Sequence, residues 1–108
     1  MKKLLFLLML FCGSLSAQIK VVQFNAGWNS ANGVGWVMDL KDCKTIGHTD
    51  IAKDKDAQAK YKIAVVPTII IFKDGEEAFR FQADLSFKML ATKEEVTEAI
   101  DELLMSDF

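Results

Sequence analysis

The sequence predicts an α/β sandwich in which a four-stranded mixed sheet is flanked by about three helices. Its 108 residues give room for one domain. Strand-like and helix-like patterns alternate along the first part of the chain, and two consecutive strand patterns then precede a final helical pattern. This order predicts two parallel strands joined by a helical crossover, followed by a β-hairpin and a closing helix.

The first half of the predicted domain contains two strands and one short helix. Residues 19–25 (IKVVQFN) are rich in β-branched and aromatic side chains, which favour a strand. Residues 25–35 are dense in Gly, Asn and Ser, which interrupt regular structure. Apolar side chains cover most sides of residues 34–40 and predict a short helix. Residues 44–51 form a second candidate strand, weakened by Gly47.

The second half predicts a helix and a β-hairpin. Residues 54–61 are polar, with aspartates in what would be the first turn of a helix. Residues 68–72 (TIIIF) are typical of a buried strand. The turn residues Asp74 and Gly75 follow, and residues 78–83 then alternate apolar and polar side chains.

The last predicted element is a helix with a clear start. Thr92 followed three residues later by Glu95 is the pattern of a capping box. Val96, Ile100 and Leu103 then mark one face at helical spacing.

The N-terminal residues predict a secretory signal. Lys2 and Lys3 precede an apolar run over residues 4–12, and small residues lead to Ala17. The run has nine residues and a membrane-spanning helix needs about 20, so we expect no membrane span. Cleavage after Ala17 would leave residues 18–108 as the exported domain. A buried N-terminal strand or helix is the alternative.

Lipid attachment at Cys12 is the other possibility for the N-terminal segment. Lipidation normally requires a small residue before the cysteine, and this sequence has Phe11 there. The sequence therefore favours a periplasmic or secreted protein without a lipid anchor.

Charge and cysteine content limit the partners and the chemistry. The chain has 13 basic and 15 acidic residues, and two of the basic ones lie in the predicted signal. The absence of a basic cluster argues against nucleic acid and anionic membranes as partners.

Cleavage would leave Cys43 as the only cysteine, so no internal disulfide would be possible. Cys43 is either a buried, inert thiol or an exposed, reactive one.

Three segments resemble the thioredoxin family. Residues 21–24 lead into the Ala26-Gly27-Trp28 loop as a thioredoxin strand leads into its tryptophan loop. Residues 60–68 match the segment around the family's cis-proline. Residues 69–75 match the strand and turn that follow it. The resemblance implies a minimal thioredoxin-like fold for residues 18–108, without the family's extra N-terminal strand and helix.

The redox motif of the family is absent. Thioredoxins carry Trp-Cys-x-x-Cys, and this sequence has Trp28 followed by Asn29, Ser30, Ala31 and Asn32. Thiol–disulfide exchange needs a thiolate and a second sulfur, which amides cannot supply. We therefore expect no catalytic residue and no cofactor at this position.

Two further departures accompany the lost cysteines. By resemblance, Gln23 replaces the family's buried acid and His48 replaces a lysine near it. We expect His48 to be buried and hydrogen-bonded, with Gln23 as a candidate partner. A metal site is not expected, because no second histidine or cysteine lies nearby.

The two asparagines have several possible roles. Asn29 or Ser30 would be a good N-cap for a helix starting here, and capping is the favoured interpretation. Direct contact of Asn29 or Asn32 with a ligand is the alternative, and Asn32-Gly33 could also form a simple turn.

The resemblance also implies a peptide-binding groove. It makes the Val66–Pro67 bond cis and leaves the backbone of Val66 free to pair with an extended segment beside Trp28. Pro67 could instead serve only the turn into the next strand. An exposed patch of Trp36, Val65 and Val66 would support binding.

These observations favour a redox-inactive module that binds another exported protein or extended peptide. Its binding residues would be Trp28, Asn29, Asn32, Trp36 and Val66-Pro67, together with the loop around Asp84. One alternative is a single-cysteine thiol redox protein that uses Cys43. The other is a structural subunit that forms a homodimer through its apolar helix.

Overall fold

A computed structural model describes residues 18–106. The predicted signal segment therefore lies outside the described residues. Within residues 18–106, the secondary structure consists of four strands, two 3₁₀ helices and two α-helices. In chain order these are β1 (Ile19–Asn25), the first 3₁₀ helix (Gly27–Asn32), the second 3₁₀ helix (Gly35–Asp39), β2 (Lys44–Asp50), α1 (Lys55–Tyr61), β3 (Thr68–Lys73), β4 (Glu76–Gln82) and α2 (Lys93–Met105).

The four strands form one mixed sheet in the order β2-β1-β3-β4. Strands β1 and β2 are parallel, whereas β3 is antiparallel to both β1 and β4. The predicted mixed α/β sheet is confirmed. Asp74 and Gly75 both have positive φ, as the tight turn of the β3–β4 hairpin requires.

Apolar side chains cover both faces of the sheet. Ile69 and Ile71 of β3 pack on one face against Val96 and Ile100 of α2. On the other face, Ile70 belongs to a second cluster with residues of β1 and the α1 region. Full burial of each such side chain contributes about 1.5–3 kcal/mol, so alternate residues of β3 stabilise opposite layers.

Both α-helices begin after a residue whose side chain caps the first turn. In α1, the Asp54 carboxylate accepts a hydrogen bond from the Ala57 backbone N–H at 3.1 Å. At the start of α2, Thr92 Oγ1 accepts from the Glu95 N–H at 3.1 Å, and Glu95 Oε1 accepts from the Thr92 N–H at 2.9 Å. The predicted capping box is confirmed.

The predicted first helix is shorter and tighter than an α-helix. Residues 34–40 contain only the 3₁₀ helix Gly35–Asp39, which ends at Leu40 in extended backbone. The Gly/Asn/Ser-rich segment before it forms the other 3₁₀ helix rather than an irregular turn. Such short segments are typical of 3₁₀ geometry.

Candidate functional site

The candidate site lies beyond the carboxyl end of β1, where the chain turns into the first 3₁₀ helix. Asn29 sits inside this helix with non-helical backbone angles, and only 5% of its surface is exposed. Asn25, the last residue of β1, is also buried. Two amide side chains thus meet in the interior, where each polar group needs a hydrogen-bond partner.

The Asn29 amide nitrogen connects three other parts of the chain. Nδ2 lies 3.1 Å from Asn25 Oδ1 and 3.3 Å from the carbonyl oxygens of both Val66 and Phe87, and donates to all three. An amide nitrogen has two protons, so one proton is shared between two acceptors. Asn29 therefore holds β1, the segment before β3 and the loop after β4 together.

The other amide contacts extend this arrangement. Asn32 Nδ2 donates to Asn29 Oδ1 at 2.9 Å, and Asn25 Nδ2 donates to the Asn29 backbone carbonyl at 3.2 Å. We call the side chains of Asn25, Asn29 and Asn32 the amide relay. Within residues 18–106, every buried side-chain nitrogen or oxygen has a hydrogen-bond partner. The relay is therefore a hydrogen-bonded polar network that extends from the buried Asn25 and Asn29 to the partly buried Asn32.

The Val66–Pro67 peptide bond beside the relay is cis. The Val66 side chain is buried, and its carbonyl oxygen accepts the hydrogen bond from Asn29. The Val66 carbonyl group is therefore not fully free to pair with an extended segment, because the Asn29 amide already donates to it.

Exposed apolar side chains lie next to the relay in sequence or in the loop that Asn29 contacts. Trp28 is 67% exposed and lies edge-on to the Phe87 ring, with ring centroids 5.2 Å apart. Phe87 is 39% exposed, and Leu85 in the same loop is 90% exposed. We call Trp28, Leu85 and Phe87 the apolar surface. Exposed aromatic side chains grouped in this way are characteristic of interaction sites.

The loop that carries Leu85 and Phe87 is held by Asp84. Its Oδ1 accepts hydrogen bonds from the Ser86 N–H at 2.8 Å, the Ser86 hydroxyl at 2.7 Å and the Lys88 N–H at 3.1 Å. The Ser86 hydroxyl, and then the Lys88 N–H, hold the pKa of the Asp84 carboxyl below its usual range. Phe87 has a φ of 65°, so this tight loop holds a bulky residue in the left-handed region.

No protein-family model matches the chain. Chloroplastic thioredoxin Y1 of Arabidopsis thaliana is 43% identical over 51 residues, which is 47% of this chain and 30% of that protein. The match thus spans less than a third of that relative's length.

Solved thioredoxin structures superpose over most of the chain. A mutant thioredoxin from Halobacterium salinarum matches with a TM-score of 0.63 and 17% identity, covering 81% of this chain and 75% of that one. Fasciola hepatica thioredoxin matches with a TM-score of 0.57 and 22% identity, covering 88% of this chain and 89% of that one. The chain has a thioredoxin-like fold.

Neither Asn29 nor Ser30 caps the first 3₁₀ helix, so the capping interpretation is wrong. The N-cap position of the first 3₁₀ helix is Ala26, and no side chain caps it. Asn29 instead lies within the helix and directs its amide towards carbonyl groups. Its role is that of a buried donor.

The expected partnership of Gln23 and His48 is also wrong. Gln23 Nε2 donates to the carbonyl oxygens of Val34 and Gly47, and Gln23 Oε1 accepts from the Val34 N–H at 2.7 Å. His48 is exposed. Gln23 therefore fixes the start of the second 3₁₀ helix. A register shift in the β1–β2 pairing, at Gln23, brings the Gly47 carbonyl to the Gln23 side chain.

The expected patch of Trp36, Val65 and Val66 does not form. Trp36 is partly buried against the core cluster that contains α2, and Val66 belongs to the cluster on the opposite face of the sheet. The exposed aromatic residues of the site are instead Trp28 and Phe87. The sequence predicts the loop around Asp84 as part of the binding site but does not single out Leu85 and Phe87, whose local signal is only the Asp84-x-Ser86 turn chemistry.

Cys43 lies at the opposite end of the sheet, directly before β2. It is partly buried, and burial followed by the charge of Asp42 raises the pKa of its thiol. A raised pKa lowers the thiolate fraction and with it the reactivity of the thiol.

Among residues 18–106, no helix could cross a membrane, and no cluster of three His, Cys, Asp or Glu side chains could hold a metal ion.

Proposed function

We propose that this chain is an exported, redox-inactive thioredoxin-like domain that binds an extended, apolar segment of another exported protein. The proposed binding site is the apolar surface of Trp28, Leu85 and Phe87, with Val66-Pro67 beside it. Export is supported by the signal pattern of residues 1–17.

The chemistry of the relay supports a role without redox catalysis. Asn29 and Asn32 stand where the resemblance places two cysteines, and their amides have no nucleophilic sulfur. Cys43 cannot replace them in the site, because it lies at the other end of β1 and has a raised thiol pKa. Disulfide exchange would therefore have neither an attacking nor a resolving thiol at the apolar surface.

The exposed Trp28–Phe87 pair is the single observation that carries the binding proposal. Tryptophan supplies a large contact area and is enriched among residues that dominate binding energy. Asn29 holds the Phe87 carbonyl, and the Asp84 turn holds the same loop from its other side. A surface ordered before binding loses less conformational entropy when its partner arrives.

The relay also indicates how the partner is recognised. The Val66 carbonyl already accepts a hydrogen bond from Asn29, so it has only one lone pair left for an incoming strand. Backbone pairing is therefore weaker than at an unoccupied edge, and side-chain contact with Trp28, Leu85 and Phe87 contributes more. This favours a segment with large apolar side chains.

Selection of linear peptides from a displayed random library tests the proposal. We expect enriched peptides to be rich in apolar residues and to lose at least about tenfold in affinity on Trp28→Ala substitution. Leu90→Ala is the matched control, since Leu90 is also 67% exposed but is not part of the apolar surface. Equal losses in both variants, or no enrichment over an unselected library, would contradict the proposal.

Export has its own test. Expression of the full chain should give an exported product that starts at Gln18. Retention of an uncleaved chain inside the cell would contradict the localisation without affecting the binding site.

A further inference from the structure

The amide relay ends at the dipeptide Asn32-Gly33, which has a characteristic chemistry of its own. In such a pair, the glycine backbone nitrogen attacks the asparagine Cγ, a C–N bond forms and ammonia leaves. The resulting five-membered imide is then opened by water to aspartate or isoaspartate. Because glycine has no Cβ to hinder the attack, Asn-Gly is favourable for this deamidation.

Both reacting groups of this pair are engaged in hydrogen bonds. Asn32 Nδ2, part of the leaving amide, donates to Asn29 Oδ1 at 2.9 Å. The Gly33 N–H, whose nitrogen is the nucleophile, donates to the Ser30 carbonyl at 3.0 Å. Gly33 itself is exposed, so water and base can reach the pair.

We propose that Asn32-Gly33 is a deamidation site whose rate is set by the Asn29–Asn32 hydrogen bond. The Asn32 side chain must rotate towards the Gly33 nitrogen before the imide can form, and the bond to Asn29 prevents this rotation. Asn29 is thus a positioning residue that protects Asn32. Removal of its side chain leaves the Asn32 amide free to reach the backbone.

Deamidation of Asn32 would also change the hydrogen bonds of the relay. A carboxylate at position 32 accepts hydrogen bonds but cannot donate one to Asn29 Oδ1. The Asn29 amide cannot compensate by flipping, because its nitrogen is bound to Asn25 Oδ1 and to the Val66 and Phe87 carbonyls. Deamidation therefore removes the contact that fixes the oxygen side of the Asn29 amide, and we expect this to weaken the hold of Asn29 on the Phe87 carbonyl. The effect on partner binding rests on the proposed function, whereas the site and its rate do not.

The neighbouring asparagines provide internal controls. Asn25 and Asn29 are followed by Ala26 and Ser30 rather than by glycine, and both asparagines are buried. Modification of the folded protein should therefore appear at Asn32 and not at these two positions.

The test measures conversion of Asn32 by mass spectrometry of digested protein after incubation at mildly alkaline pH. Loss of one net hydrogen bond predicts that Asn29→Ala accelerates the reaction about tenfold. Thr92→Ala is the control, because it removes the capping box of α2 without touching the relay. The proposal is overturned if Asn29→Ala reacts at the wild-type rate, or if Thr92→Ala reacts as fast as Asn29→Ala.

A second measurement covers the case in which Asn29→Ala does not fold. The wild-type protein is incubated at several urea concentrations below its unfolding transition. A local opening exposes little surface, so the rate of conversion should change little across this range. A rate that rises in parallel with the globally unfolded fraction would show that the whole fold, and not the Asn29 bond, provides the protection.

Discussion

Replacement of Asn29 by aspartate tests whether its amide is a buried donor. Asparagine and aspartate are nearly equal as helix caps, so a capping residue would tolerate this change. A buried donor would not, because the introduced carboxylate has no proton to offer to Asn25 Oδ1 or to the Val66 carbonyl. The two roles therefore predict opposite results for one nearly isosteric substitution.

The hydrogen bonds of Asn29 set the size of the expected effect. Asn29→Ala leaves Asn25 Oδ1 and the Val66 carbonyl without this donor, and each buried unpaired group costs about 1–3 kcal/mol. Water can replace part of the bonds to Phe87 and Asn32, because these are only partly buried. We therefore expect Asn29→Ala to lower the free energy of unfolding by about 2–4 kcal/mol.

The aspartate variant should lose more stability than the alanine variant at neutral pH, because an unpaired buried charge costs about 3–5 kcal/mol. Burial among carbonyl oxygens raises the folded-state pKa of the introduced carboxyl above its unfolded value. Its destabilisation is therefore largest above the folded pKa and diminishes as the pH falls towards the unfolded pKa.

Urea unfolding followed by circular dichroism at pH 7 and pH 5 measures both effects. Ser30→Ala is the control, since Ser30 is exposed on the same 3₁₀ helix and its hydroxyl has no part in the relay. A stable Asn29→Asp variant, equal to wild type at pH 7, would refute the assignment of Asn29 as a buried donor.

Three further predictions concern other parts of the molecule. Cys43 should react with a thiol-labelling reagent more slowly than an unfolded cysteine at pH 8, because its thiol pKa is raised; equally fast labelling would contradict this. Acidification should loosen the loop at Asp84, because the pKa of the Asp84 carboxyl is lowered in the folded state. The ionised carboxylate stabilises the loop at pH values above the ordinary carboxyl pKa. This stabilisation is lost as the pH falls through the lowered pKa. The Trp28 emission should change over that acidic range in wild type and not in Asp84→Asn. Finally, the double variant Asn29→Cys with Asn32→Cys should oxidise to an internal disulfide, because these side chains face each other across a 2.9 Å hydrogen bond; thiols that stay free in air would contradict this.

The strands and the α-helix starts could be predicted from the sequence because local chemistry determines them. The β-branched run of Ile19–Asn25 and the Thr92–Glu95 capping box are where the patterns place them. The helix over residues 34–40 was predicted with the wrong geometry, since hydrophobic spacing in so short a segment does not separate 3₁₀ from α-helix.

The role of Asn29 could not be predicted, because its partners are distant in sequence. Val66 lies 37 residues and Phe87 58 residues further along the chain. Before the fold brings these carbonyls together, an asparagine near a helix start has only the local signal of a cap. The prediction of a buried His48 failed for a related reason. His48 was the expected partner of Gln23, but Gln23 bonds instead to backbone groups at Val34 and Gly47, which no side-chain pattern indicates.

Chemical-shift mapping with a library-selected peptide tests the central claim most directly, namely that Trp28, Leu85 and Phe87 form the binding surface. We predict that the peptide perturbs the Trp28 indole and the backbone amides of residues 27–32, 65, 66, 68 and 84–88. Perturbations confined to α2, with the Trp28 indole unchanged, would contradict the claim.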